Sequence, residues 1–390
     1  MTDDAGPTGS ALDRLDLTPT RAAGLERLAA FVPRAGRWYA NHGGVDHGPD
    51  RRANAAALQP WLASRLVTPE EAIAAVEAEH GAAGAAAFRA EVEAPLRRRD
   101  WLRARPGAWR AHRLRVEQLF RAMAKSPSLL GAYEEAVAGR TGLDAADGWA
   151  RELADTGWLH PAALRAFASL WIFSLRLPWE LGADLHHQLA VDGEAAGHVL
   201  WREVAGLEGG HPPYVVTVEE ISRVSGGRFH PKRRLVEEHA RALTEAPRPK
   251  ADHAVAAAPE GDEQPEPGLR VGWLITEASL DGTPPDAAPA ALAGIGSGPH
   301  RPPFGAGERL AAWLDGALAD GLARAATASG LAPNRLDDAD WSASLAAWVR
   351  AEALQRVWTA PPTPGLIAER LTAAQVRLAR DGVRLNWPTR

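Results

Sequence analysis

The chain has 390 residues, 46% hydrophobic and 24% charged, the balance of a folded protein long enough for two or three domains. Its 44 basic and 49 acidic residues give a net charge of −5, which excludes a surface coated throughout for nucleic acid but leaves room for one basic patch. With no cysteine, disulfides, thiolate zinc sites, iron–sulfur clusters and cysteine nucleophiles are excluded.

The polar start, Met1 to Ser10, lacks the apolar core of a signal peptide. No run approaches the roughly 20 apolar residues of a membrane span, because Leu164 to Leu177 is broken by Arg165 and Arg176. The expectation is a cytoplasmic protein with no membrane contact. Residues 11–245 read mostly as helix. Leu17-Thr18-Pro19-Thr20 predicts a helix start with Ala22, Leu25, Leu28 and Phe31 on one face. Thr68-Pro69-Glu70-Glu71 is a capping box whose helix runs to about His80. Residues 85–104 and 107–125 follow, separated by Arg105-Pro106-Gly107. Ser126-Pro127-Ser128 opens another helix. Asp144 to Asp155, Pro161 to Leu177 and Asp184 to Ala190 complete the series.

Residues 246–268 are a linker rich in Pro and acid, unable to bury a core. Gly282 to Ala306 reads as a second loose segment. Leu269 to Thr276 and Leu354 to Thr359 have strand character, and Glu308 to Ala325 is helical. Pro364 to Arg380 as helix and Val383 to Trp387 as strand close a βαβ unit over 354–387. The fold expectation is therefore a mainly α domain over 15–245 and a small α/β module over 269–390. Gly294-x-Gly296-x-Gly298 lies in a Pro-rich stretch and is no dinucleotide fingerprint. His160, His186 and His187 lack metal-ligand spacing with carboxylates, so no metal is expected. Tryptophan is abundant at 15 residues against 7 Phe and 3 Tyr, which suits a large core, an aromatic cofactor pocket or an electron-hopping route.

The stretch Thr141-Gly142-Leu143-Asp144, Trp149-Ala150-Arg151-Glu152-Leu153 and Thr156-Gly157-Trp158-Leu159-His160 resembles the FAD-binding domain of the cryptochrome/photolyase family. Ala168 to Phe173, Leu177 to Asp184, Asp192-Gly193-Glu194, Trp201 and Gly227-Arg228-Phe229 continue the resemblance in order. Upstream, Leu58-Gln59-Pro60-Trp61-Leu62 is similar to the family's phosphate-binding segment. The resemblance spans about residues 15–235 and implies a helical bowl holding FAD, in a short branch without the N-terminal antenna domain. It places His160, Asp192, Glu194, His198 and Gln59 at the cofactor, with His198 where photolyases carry an Asn facing flavin N5. From the residues alone, Asp192 reads equally as a helix-capping aspartate. His198 reads equally as a solvent-facing turn histidine. Trp179 and Trp201 match two members of the family's electron-transfer chain; core packing is their other reading, and Trp109 and Trp149 are candidates for a third member.

The chain also departs from the family's pattern. Ala55, Ala56 and Gln59 stand where hydroxyl residues bind the FAD phosphates. Ala94 and Pro95 replace a substrate-stacking Trp and its Arg, Leu164 replaces the Arg that pairs with Asp192, and Glu203 replaces a second Trp. These changes predict a kept fold and weakened or lost FAD binding, and they disfavour photolyase-type lyase activity without excluding it. Residues 89–115 carry nine Arg against three acids, and Arg97, Arg98, Arg99 and Arg103 are candidates for DNA contact or a solvated helix face. Three functions stay open: a light- or redox-responsive flavoprotein, a cofactor-free helical scaffold for a protein partner, and an active photolyase, the last disfavoured by the substitutions.

Overall fold

The Thr68 hydroxyl accepts from the Glu71 amide at 3.2 Å, and the Glu71 carboxylate accepts from the Thr68 amide at 2.9 Å. The helix thus opens where the sequence places it, with Pro69 at the first position, where no amide is needed. In this computed structural model, the structure describes residues 12–208, 212–231, 235, 241–244, 249–251, 268–282, 284–285, 288–301 and 305–387. Apart from 249–251 and 268, the linker at 246–268 lies outside the described residues.

The first helices are α1 (Arg21–Phe31), α2 (Arg37–His42), α3 (Gln59–Ala63), α4 (Pro69–Gly84) and α5 (Ala86–Arg103). There follow α6 (Gly107–Met123), α7 (Pro127–Val137), α8 (Asp144–Thr156) and α9 (Pro161–Ser169), which runs into a π-helical turn at Leu170–Ser174. α10 (Trp179–Leu189) starts five residues ahead of the predicted short helix. α11 (Gly197–Val204) and α12 (Val218–Val224) were not foreseen. One core holds Trp149, Phe167, Trp171, Leu181 and Trp201 from this later group. Gly182 makes it possible: a Cβ there would stand 2.3 Å from the Trp201 ring.

The C-terminal part is a doubly wound α/β module. Its elements are β1 (Val271–Thr276), β2 (Ala291–Ile295), α13 (Glu308–Ser329), β3 (Pro333–Arg335), α14 (Trp341–Ala351), β4 (Arg356–Trp358), α15 (Leu366–Ala379) and β5 (Arg384–Asn386). All five strands are parallel in the order β3-β2-β1-β4-β5. The expected β4–α15–β5 unit is present. The segment from Gly282 to Ala306, read as loose, contains β2. That strand is Ala-Leu-Ala-Gly-Ile, low in β-branched residues, and its signal comes only from burial on both sides of a parallel sheet.

The pleat sends Trp273, Ile275 and Leu292 to one face and Leu274, Ala293 and Ile295 to the other. The second face packs on α14 and α15. The first shares a core with α13 and with Leu28, Phe31, Trp61, Val67 and Phe88 of the early helices. The sheet therefore packs directly against the chain's N-terminal helices.

Candidate functional site

A cavity of about 460 Å³ opens between α3, α5, the start of α9, α11 and the loop joining α10 to α11. That volume is within the range of small-molecule sites. Leu62, Val92, Pro95, Leu96, Leu159, Leu164 and Leu200 make apolar walls, and among the described residues no Phe, Tyr or Trp lines it. Pro95, inside α5, has no N–H to give the Glu91 carbonyl.

The loop holding Asp192 is built on the carboxyl end of α10. Gly193 is required there, since a Cβ would lie 2.7 Å from the Ala190 carbonyl oxygen and 2.9 Å from that of His187. Its own carbonyl accepts from the Arg301 guanidinium at 2.9 Å, and Arg301 also donates to the His187 carbonyl at 3.3 Å. The same guanidinium reaches Glu277 Oε1 and Ser297 Oγ, each at 3.3 Å, and Glu277 accepts from the Ser297 amide and hydroxyl. Glu277 follows β1 and Ser297 follows β2, so the carboxyl edge of the sheet clamps the Asp192 loop. Sequence reasoning missed this clamp. Its only trace was the Gly-Ser-Gly at 296–298 after a strand that composition concealed.

Of the residues assigned to a cofactor, Gln59, Asp192 and Glu194 line the cavity. Asp192 Oδ1 is buried and makes no hydrogen bond. Burial first, and then the charge of Glu194, push its carboxyl up to about 7. Asp192 caps no helix. Gln59 donates to Glu91 at 2.7 Å, and its Oε1 is a second buried acceptor without a partner. Glu91 also accepts from the Tyr39 hydroxyl, and burial raises its pKa. Glu194 is held by Arg99 at 2.6 Å. His186 lines the cavity too, and burial pushes it down to about 4, so it is neutral near pH 7.

His160, His198, Trp179 and Trp201 do not line this cavity. His160 caps α9, its Nδ1 accepting from the Ala162 amide at 3.2 Å. His198 is buried rather than solvent-facing, 2.5 Å from the Ala195 carbonyl through Nδ1 and stacked on His112 with ring centres 5.0 Å apart. Trp179 lies 5.4 Å from His112 and 6.5 Å from His198; Trp109 lies 5.8 Å from His112, and Trp101 6.4 Å from His198. These rings form a connected aromatic cluster. Trp201 sits apart in the core, edge-on to Trp171 at 6.2 Å. Trp149 gives its N–H to Asp46 at 2.9 Å.

The four arginines singled out for DNA all have carboxylate partners. Arg98 pairs with Glu203 at 2.9 Å, Arg99 with Glu194, Arg103 with Asp100 at 2.8 Å and Arg97 with Glu93 at 3.5 Å. A second, smaller crevice of about 190 Å³ lies between the Asp192 loop and the loops that follow β1 and β4, where the strand order reverses. Ala63, Arg99, Asp192 and Glu194 line both hollows. Among the described residues, no group of three His, Cys, Asp or Glu side chains is arranged to hold a metal ion.

Residues 102–271 match the family described as the FAD binding domain of DNA photolyase. This part of the chain is similar to that domain. The match begins well inside the resemblance traced in the sequence from about residue 15. A bacterial class III photolyase from Agrobacterium tumefaciens is 19% identical over 53% of this chain and 43% of its own, with a TM-score of 0.40. A cryptochrome from Synechocystis sp. PCC6803 is 18% identical over the same shares, with a TM-score of 0.37. The chain thus covers less than half the length of either protein. No curated protein matches it.

The residues present fit one part of FAD and not the other. Apolar walls and an unpaired buried acceptor at Asp192 suit the ring of a flavin, whose imide N–H needs such a partner. The diphosphate arm is not matched. Ala55, Ala56 and Leu58 are packed into the core, and Arg27 holds the Ala55 and Ala56 carbonyls at 3.0 and 2.7 Å. That segment presents neither hydroxyls nor open space to a phosphate.

Proposed function

We propose that the chain is a flavin-binding, photolyase-like protein that responds to light or redox state without repairing DNA. The observation that carries this reading is the buried, unpaired Asp192 Oδ1 in an apolar cavity of a photolyase-family domain. A carboxylate held in apolar surroundings without a cation is costly unless a ligand completes it. The cavity wall supplies Leu164, Ala94 and Pro95 where a photolyase would need charged and stacking groups, and Arg98 is spent on Glu203. With no aromatic platform for an extruded base and every candidate arginine facing a carboxylate, the surface is poorly suited to DNA.

When bound, a flavin supplies light absorption and one-electron chemistry. The protein's part is to bind and orient the ring, with Asp192 and Gln59 as acceptors and the leucine walls excluding water. Trp179 is the best-placed electron donor, because its aromatic cluster continues through His112 and His198 to Trp109 and the partly exposed Trp101.

The packed Ala55–Leu58 segment favours a second reading, a cofactor-free scaffold. Absorbance separates the two. Protein purified in the dark, or incubated with flavin and desalted, should show flavin bands that denaturation releases. A colourless protein that takes up no flavin would favour the scaffold.

A further inference from the structure

The two fully buried side-chain atoms left without a partner at the cavity are both acceptors. Asp192 Oδ1 and Gln59 Oε1, on facing elements, are buried acceptors without donors. The donors are committed: Arg99 to Glu194 and the Ala63 carbonyl, Arg98 to Glu203, and Gln59 Nε2 to Glu91. Arg165 is exposed at the edge, its guanidinium stacked 4.0 Å from the centre of the Tyr214 ring. Glu91, Asp192 and Glu194 all face the hollow.

We infer that this cavity selects the neutral, N–H-donating ring of a flavin and discriminates against its diphosphate arm, so that riboflavin binds at least as tightly as FAD. The inference rests on the flavin reading above and names the ligand within it. A flavin ring carries an imide N–H that the unpaired acceptors can take, and leaving a buried acceptor unmade is the larger penalty. A diphosphate brings two negative charges toward three carboxylates, and the side-chain donors it meets in the cavity are guanidiniums already paired with Glu194 and Glu203 and the uncharged imidazole of His186. The cation without a carboxylate partner here is Arg165, and it is exposed to solvent at the edge. The Ala55–Leu58 segment, where the arm would be expected to run, is closed by Arg27.

The test is calorimetric titration of the full-length protein, freed of bound flavin, with riboflavin, FMN and FAD at pH 8 and low salt. The expected order is riboflavin at least as tight as FAD. Asp192→Leu should weaken riboflavin tenfold or more while melting no lower than wild type, since it removes an unpaired carboxylate. Binding of FAD tighter than riboflavin would overturn the inference and leave the flavin reading intact. Failure of all three ligands to bind would remove the flavin reading and the inference with it. An Asp192→Leu protein that melts well below wild type would show that Asp192 serves the fold rather than the ligand.

Discussion

Replacing Arg301 by Met should uncouple the α/β module from the loop that carries Asp192. Arg301 is 7% exposed and makes hydrogen bonds to the Gly193 and His187 carbonyls, to Ser297 and to Glu277. Glu277 is 5% exposed, with Arg301 as its ion-pair partner. Methionine fills the stem but leaves that carboxylate buried without its ion-pair partner, with only the more distant charge of Arg370 nearby, and losing one partner of a buried pair costs about 3–5 kcal/mol. The Gly193 carbonyl also loses its donor, worth roughly another 1 kcal/mol, partly offset by the Ser297 bonds that remain on Glu277. The expected loss is therefore about 3–5 kcal/mol in urea unfolding of the full chain. Adding Glu277→Gln should recover part of it, because the charge left behind is then removed as well. A loss below about 1 kcal/mol, or a double variant no better than the single, would refute the clamp as described.

Three further outcomes follow from the packing and the charges. Asp192 is raised to about 7 in the folded protein, so its ionisation opposes folding: that group's contribution is favourable below pH 4 and is lost as pH rises through 7. Asp192→Asn, measured without ligand, should match wild type near pH 4 and exceed it at pH 8 by up to about 4 kcal/mol, and denaturant curves at the two pH values check this. Gly182→Ala should destabilise by about 1–3 kcal/mol, because the new methyl meets the Trp201 ring; an unchanged melting temperature would contradict the tight contact. Trp179→Phe should slow blue-light bleaching of bound flavin in the presence of reductant, whereas Trp201→Phe should slow it less, since Trp201 stands outside the Trp179 cluster; transient absorption reads both rates.

The helical fold was legible because its signals are local. The Thr68 capping box and the proline-led starts at Pro127 and Pro161 act within a turn, and each opens a helix at the residue foreseen. β2 was not legible, because Ala-Leu-Ala-Gly-Ile becomes a strand only when β1 and β3 flank it and helices cover both faces. Asp192, Glu194 and Gln59, singled out from motif positions, line one cavity, and Asp192 Oδ1 has no hydrogen-bond partner there. His198 could not be placed from sequence, since its surroundings come from α5, α6 and α10, far apart along the chain. In the Arg301–Glu277 clamp Arg301 lies more than a hundred positions from the loop it holds and Glu277 more than eighty, and no spacing rule connects them.

The most direct test of the account is a crystal structure of the protein grown with riboflavin. The ring should occupy the cavity between Leu164 and Asp192, with a ring N–H 2.7–3.2 Å from Asp192 Oδ1 and the Arg301 contacts to Gly193 unchanged. A ring bound elsewhere, or a cavity that stays empty with Asp192 Oδ1 still unpaired at saturating riboflavin, would contradict it.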